Sequence, residues 1–218
     1  MSERDHPSRP FIAREGWGYV SGLSAIGFIS ILFGGWIWAT LFFLLAAAVA
    51  GFFRDPHRTP PDEPGIVLSP ADGRVVEIAP TEDAGKVVRI FLSPLDVHIN
   101  RSPVDGRISS IHYQKGRFLA AYKEAASSNN EQNALEIETN TGDNFRVVQI
   151  AGVLARRIVC WTKAGDTISA GERFGLIQFG SRTDLYFPEG YDISVEKGQR
   201  VRGGETIVGR AIHQTTTE

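Results

Sequence analysis

From Gly16 to Phe53 the chain carries no charged residue. Those 38 positions are filled largely by Ile, Leu, Phe, Ala and Gly, and they hold Trp17, Trp36 and Trp38, three of the four tryptophans. A core helix of a water-soluble domain rarely runs so far without a charge, because one face of it meets water. Arg54 to Glu218 has the charged composition of an ordinary folded domain. The pattern predicts a tail (residues 1–15), an N-terminal hydrophobic helical membrane anchor (residues 16–53) and a folded domain (residues 54–218). A helix crosses a bilayer with roughly 20 apolar residues, so the run is long for one pass and short for two. Gly34-Gly35 near its middle is a place to turn. Arg4, Arg9 and Arg14 precede the run, and Arg54 and Arg58 follow it. Positive charge on both flanks favours both ends on the cytoplasmic side of the cell membrane, as a hairpin or as re-entrant helices. A signal peptide cut near Ala46-Ala47-Ala48-Val49-Ala50 is the alternative, but its apolar region would far exceed the usual length of about 7–15 residues.

The length of 218 residues suits one or two domains. Twenty-three Lys and Arg against 25 Asp and Glu, a net charge of −2, argue against a nucleic-acid partner. A single cysteine, Cys160, excludes an intrachain disulfide framework and any zinc site built on several thiolates. No metal is expected.

Pro56, Pro60, Pro61 and Pro64 make a stiff, non-helical start to the folded domain. Short β-like runs then alternate with glycine turns: Gly73 to Ile78, Lys86 to Leu92, Ala134 to Glu138, Phe145 to Ile150, and Ile158 to Trp161. Gln114 to Asn133 is the least strand-like stretch, and Ser127-Ser128-Asn129-Asn130 within it reads as an exposed loop, a helix end or a lid. The unit Gly165-Asp166-Thr167-Ile168-Ser169-Ala170-Gly171-Glu172 recurs 33 residues later as Gly198-Gln199-Arg200-Val201-Arg202-Gly203-Gly204-Glu205. Glycines at both ends allow tight turns around a short strand. The echo is similar to the β-hammerheads of lipoyl and biotinyl domains. The expected fold is therefore mainly β, a barrel-sandwich-hybrid or β-hammerhead-like domain behind the helical anchor.

Three segments mix small, polar and turn residues beyond what strand packing requires. Ser69-Pro70-Ala71-Asp72-Gly73 puts a carboxylate in a turn, where it serves either chemistry or backbone hydrogen bonds. Asp96-Val97-His98 follows an apolar strand, a place for acid–base work or for a structural histidine. Phe179-Gly180-Ser181-Arg182 reads locally as a nucleophile or a β-bulge.

Together these segments resemble the short bacterial form of the phosphatidylserine decarboxylase proenzyme family. The likeness runs through Phe52-Phe53-Arg54-Asp55-Pro56-His57-Arg58, Leu68 to Gly73, Phe91 to Arg101 and Ile150 to Trp161. It is strongest over Gly171-Glu172-Arg173-Phe174-Gly175-Leu176-Ile177-Gln178-Phe179-Gly180-Ser181-Arg182. The resemblance implies self-cleavage between Gly180 and Ser181 into a β chain (1–180) and an α chain (181–218), paired as a heterodimer. Ser181 Oγ would attack the Gly180 carbonyl; β-elimination and hydrolysis would then convert the serine into a covalent pyruvoyl group. That group would form a Schiff base with phosphatidylserine and draw electrons from the Cα–carboxylate bond. The products would be phosphatidylethanolamine and CO2, in phospholipid biosynthesis, with anionic membrane lipid as the partner surface.

The resemblance makes Ser181, His98 and Asp72 the catalytic candidates, with Asp72 orienting or assisting the base. The long enzymes of this family carry His-x-x-His where this chain has His98 and Arg101. Arg101 is therefore a candidate for the substrate's phosphate or carboxylate, or else a salt bridge closing its loop. Lys115 and Lys123 are weaker phosphate candidates. Archaetidylserine would present the same headgroup to the same site. A lipoyl or biotinyl carrier would use Lys163 or Lys197, neither in carrier-lysine surroundings. A barrel-sandwich zinc endopeptidase would need His-x-x-x-Asp and His-x-His, and neither occurs. A structural periplasmic adaptor leaves the Gly180-Ser181 motif unexplained.

Overall fold

The computed structural model describes residues 11–116, 130–152, 157–178 and 181–212. The chain forms two compact units, Met1–His57 and Arg58–Glu218.

The first unit is an antiparallel pair of helices, α1 (Arg14–Leu32) and α2 (Trp36–Phe52). Gly34, at φ +73°, makes the turn between them. A bridge between Ile12 and Arg54 closes the base, where Ala13 N–H donates to the Phe53 carbonyl at 2.8 Å. The helices pack through glycines: a Cβ on Gly16 would lie 2.6 Å from Phe53, and one on Gly27 would lie 3.1 Å from the Phe43 ring.

This geometry overturns the expected membrane anchor, because no described helix is long and apolar enough to cross a membrane. The turn at Gly34 divides the uncharged run. Helix α2 has 17 residues, about 25 Å of helix against a hydrocarbon core of about 30 Å. Helix α1 has 19 residues but is diluted by Arg14, Glu15, four glycines and three serines.

The second unit is mainly β, as expected. Its strands are β1 (Ile66–Leu68), β2 (Gly73–Pro80), β3 (Lys86–Leu92), β4 (Ile99–Arg101), β5 (Gly106–Gln114), β6 (Gln132–Glu138) and β7 (Asn144–Ala151). They continue with β8 (Ile158–Cys160), β9 (Thr167–Ile168), β10 (Arg173–Ile177), β11 (Ser181–Phe187), β12 (Tyr191–Ile193), β13 (Arg200–Val201) and β14 (Ile207–Ala211). Eight pair in the order β13-β2-β3-β11-β7-β6-β5-β9, and two further sheets have the orders β1-β14-β12 and β4-β10-β8. Bulges between Val75 and Glu77 and between Ile108 and Ser110 help to curl the large sheet into a half-barrel. Its inner face buries Val88, Ile90, Leu135, Ile137, Phe145, Val147, Leu185 and Phe187, the apolar half of an inside–outside alternation.

The strand order has a two-fold character. Strands β13, β2, β3 and β11 match β9, β5, β6 and β7, and the two bulges fall at matching positions. The echoed glycine units form the edge strands β9 and β13 at opposite ends of the sheet. Their glycines match too: Gly171 and Gly204 adopt φ of +77° and +76°, the left-handed conformation in which L side chains are strained. A second echo accompanies the first. Ser69-Pro70-Ala71-Asp72-Gly73 and Ser102-Pro103-Val104-Asp105-Gly106 share one local structure. Ser69 Oγ donates to the Ala71 carbonyl and Ser102 Oγ to the Val104 carbonyl, both at 2.7 Å.

Strands β4 to β10 form one half in a continuous run. The other half is split into β1–β3 and β11–β14. The continuous half is inserted where β3 would turn back into β11, just as β6 turns into β7 through residues 139–143.

Candidate active site

An insertion into a hairpin makes the chain cross between halves twice, once on leaving β3 and once on entering β11. Ser181 pairs with Leu92 on one side and Ala151 on the other. Residues 93–98 carry the first crossing, and the Ile177 N–H donates to the His98 carbonyl at 3.3 Å. His98 and Ser181 are thus brought to the same end of the sheet. Gly180 lies outside the described residues.

Ser181 is fully buried, and its Oγ has no hydrogen-bond partner among the described residues. A buried hydroxyl left unsatisfied costs stability, and such groups are rare enough to call for a cause. A serine consumed in a reaction supplies one, so the site fits a group made from Ser181.

His98 is buried, and its Nδ1 lies 2.9 Å from the Asp96 carbonyl oxygen. A carbonyl can only accept, so Nδ1 carries the hydrogen in the neutral ring and Nε2 carries the lone pair. The loop holding this carbonyl is itself fixed: Asp96 accepts from the Ser93 N–H at 2.8 Å and from Arg200 at 3.1 Å.

Asp72 lies just before the same sheet row, since the register across β2, β3 and β11 aligns Arg74 with Phe91 and Arg182. Two strand spacings amount to about 10 Å. Its Oδ2 pairs with Arg58 at 2.8 Å, and its Oδ1 accepts from the Gly203 N–H at 2.8 Å. Burial pushes the carboxyl above its ordinary pKa, against the opposing pull of Arg58. Asp105 accepts from the Ala170 N–H at the same 2.8 Å in the other half. The backbone hydrogen bond therefore belongs to the repeat, whereas the Arg58 pair distinguishes Asp72. Arg58 also holds Glu205 at 2.7 Å.

Arg101 is buried, and its Nη1 donates to the Gly171 carbonyl at 3.0 Å. Its Cδ lies only 2.8 Å from where a Cβ on Gly204 would be, so the two matching glycine turns make room for it. Lys115 is exposed just beyond β5. Lys123 and most of the candidate lid lie outside the described residues.

Sequence reading missed a buried polar group comprising Asn100, Asn133, Gln149 and Thr183. The signal was there. Asn133 and Gln149 occupy inward positions of strands whose other inward residues are apolar, and Thr183 shares the inward face of β11 with Ser181, Leu185 and Phe187; polar side chains sit there only when they have partners or work. A cavity of about 630 Å³, lined by Arg89, Arg146 and Tyr186 among others, contains none of the candidate residues.

Residues 45–209 match the family model described as phosphatidylserine decarboxylase. The chain belongs to that family. It is 44% identical over 213 residues to the phosphatidylserine decarboxylase proenzyme of Nitrosomonas europaea, covering 95% of this chain and 98% of that protein. The proenzyme of Symbiobacterium thermophilum is 45% identical over 208 residues, covering 93% and 96%. That of Burkholderia ambifaria is 43% identical over 204 residues, covering 91% and 95%. Membership in the phosphatidylserine decarboxylase family makes the protein an enzyme, a lyase made as a self-cleaving proenzyme that yields phosphatidylethanolamine. The carrier, zinc-peptidase and adaptor readings fall away.

Proposed function

We propose that the chain cuts itself between Gly180 and Ser181 and then decarboxylates phosphatidylserine at the group left on residue 181. The observation that carries this reading is the fully buried Ser181 Oγ without a partner, at the crossing that also holds His98. His98 Nε2 takes the hydroxyl proton, because Nδ1 is already committed to the Asp96 carbonyl. Asp72 assists proton movement, its burial keeping a proton available to higher pH than an ordinary aspartate would. Ser181 becomes a pyruvoyl group, which supplies the electron sink for loss of the carboxylate. Arg101, three residues beyond His98, is the candidate cation for the substrate's carboxylate or phosphate, while its bond to Gly171 supports the loop-closing role. Lys115 and Lys123 are secondary phosphate candidates.

The α chain (181–218) and β chain (1–180) remain a heterodimer, since β11 is an interior strand paired with β3 and β7. The substrate is a membrane lipid, and the enzyme works at the cell membrane with its β unit on the cytoplasmic side. Intact mass of the purified protein, with and without borohydride, tests the reading. Two chains split at 180/181, the smaller gaining mass on ketone reduction, are expected. A wild-type chain that stays whole, or Ser181→Ala that still splits, would refute it.

A further inference from the structure

The two-fold relation of the sheet sets two aspartates in one backbone frame. Asp72 and Asp105 each accept from an N–H of the matching glycine unit, Gly203 for the first and Ala170 for the second, both at 2.8 Å. A glutamate stands two residues beyond each donor, Glu205 and Glu172. From there the halves differ. Glu172 accepts from the Ser169 N–H at 3.0 Å, within its own turn, and Asp105 is exposed. Glu205 instead accepts from Arg58 Nη1 at 2.7 Å, while Arg58 Nη2 donates to Asp72 Oδ2 at 2.8 Å. Among the described residues no such bridge joins Asp105 to Glu172.

The bridge takes away the freedom of Asp72. Both carboxylate oxygens are engaged, Oδ1 by the backbone and Oδ2 by the guanidinium. The group cannot turn about its last bond without losing a charge-assisted hydrogen bond. Arg58 is held in turn, since its planar fork has one nitrogen on each carboxylate. Its side chain is 9% exposed, so water competes little for either bond.

We propose that Arg58 is a positioning residue for self-cleavage: it fixes the Asp72 carboxylate, and Glu205 fixes Arg58. The proposal rests on the reading above, in which Asp72 assists proton movement. In that step the Ser181 hydroxyl proton leaves as Oγ bonds to the carbonyl carbon of residue 180. A proton then reaches the nitrogen of residue 181 as the C–N bond breaks, leaving an ester and a free amine. A group that assists such a transfer must act from one place and in one orientation. Gly203 and Glu205 belong to the α chain of the proposed cut, and Arg58 and Asp72 to the β chain, so the bridge closes across the boundary.

The charges around Asp72 make the arrangement measurable. Burial dominates and favours its neutral form, Asp96 adds to that, and Arg58 with the Gly203 N–H opposes it. Asp96 is itself paired with Arg200 at 3.1 Å, and Glu205 lies 4.0 Å from Arg202. Removing the Arg58 charge should therefore move the Asp72 titration up, and removing the Glu205 charge should move it down. A loss of stability alone moves neither.

The test follows self-cleavage of newly synthesised full-length chain between pH 4 and 9, by gel and mass, with thermal unfolding measured on the same variants. The limb of the pH–rate profile that Asp72→Asn abolishes belongs to Asp72. Arg58→Gln should move that limb up by about one pH unit, the scale of a lost opposite charge, and Glu205→Gln should move it down. Arg58→Lys, which keeps the charge but not the fork, should hold the limb in place and slow cleavage by about tenfold. Glu172→Gln, the matching change in the other half, should leave both limb and rate as in wild type. A limb unmoved in Arg58→Gln, or moved the same way in Arg58→Gln and Glu205→Gln, would overturn the proposal, as would an Asp72→Asn chain with the wild-type profile. Should Arg58→Gln fail to fold, Glu205→Gln decides against Glu172→Gln: a downward shift in the first alone supports the proposal, and equal behaviour overturns it. A wild-type chain that stays uncut would instead strike at the self-cleavage reading, so the two failures are distinct.

Discussion

Leu92 and Ser181 are cross-strand partners, although the whole of residues 93–180 lies between them in the chain. At the matching point of the other half, Glu138 pairs with Asn144 across a short turn. The candidate site thus occupies a place where a hairpin has been opened to admit a second half, and the two crossings supply His98 and Ser181 from opposite directions. Cutting the chain there severs a connection without removing a strand.

The cut enzyme should accordingly stay in one piece. Strand β11 has partners on both sides, β14 lies between β1 and β12, and Arg58 pairs with Glu205 across the proposed chain boundary. Native mass spectrometry should show one α–β species, and denaturing gels two chains. A free α chain in native buffer would contradict the interior position of β11.

Loss of the base should be costly. His98→Ala is expected to slow self-cleavage by about 10²–10⁴-fold, the range for a missing acid–base group. The folded variant is to be followed by mass spectrometry over time. Wild-type cleavage would remove His98 from the proton path.

Asp72 should leave a signature in the pH dependence of stability. Its pKa is raised in the folded chain, chiefly by burial. The folded state therefore holds a proton that the unfolded state releases, and stability falls as pH rises from 3.8 through the raised value. Above that value the slope from this group vanishes. Urea midpoints between pH 4 and 7, compared with those of Asp72→Asn, should show the wild type losing its relative stability with rising pH. The opposite slope would mean that Arg58 outweighs burial.

Arg101→Lys separates substrate binding from loop closure. If the guanidinium meets the lipid headgroup, the variant should fold and cleave itself yet lose more than tenfold in lipid turnover, since Lys offers a point charge in place of two fixed donors. Normal turnover would leave Arg101 as the side chain wedged against Gly204 and bonded to Gly171.

The glycine turns give a graded prediction. Gly198 and Gly204 both have positive φ, but a Cβ on Gly198 meets nothing within 4 Å, whereas one on Gly204 lies 2.8 Å from Arg101 Cδ. Gly198→Ala should cost about 1 kcal/mol from backbone strain alone. Gly204→Ala should cost more and also disturb Arg101. Equal losses in chemical denaturation would show that the Arg101 side chain moves freely.

Much of this protein is legible in its residues one segment at a time. Lys86 to Leu92 and Phe145 to Ile150 are rich in β-branched and aromatic residues, which suit a pleated, largely buried surface, so those strands emerge where the composition puts them. The motif around Gly180-Ser181 carried the family, and one echo at 33 residues exposed half of the internal two-fold. What local pattern could not carry is partnership across the fold. A strand's neighbours are chosen by register with segments far away, so nothing near Leu92 announces Ser181, nor anything near Asn100 Thr183. The uncharged run shows the same limit: composition marks Gly16 to Phe53 as apolar, but the turn at Gly34 decides that it forms two short helices and no spanning one. Composition and spacing determined the elements and the family. Long-range hydrogen bonding and packing alone decided which of these residues meet.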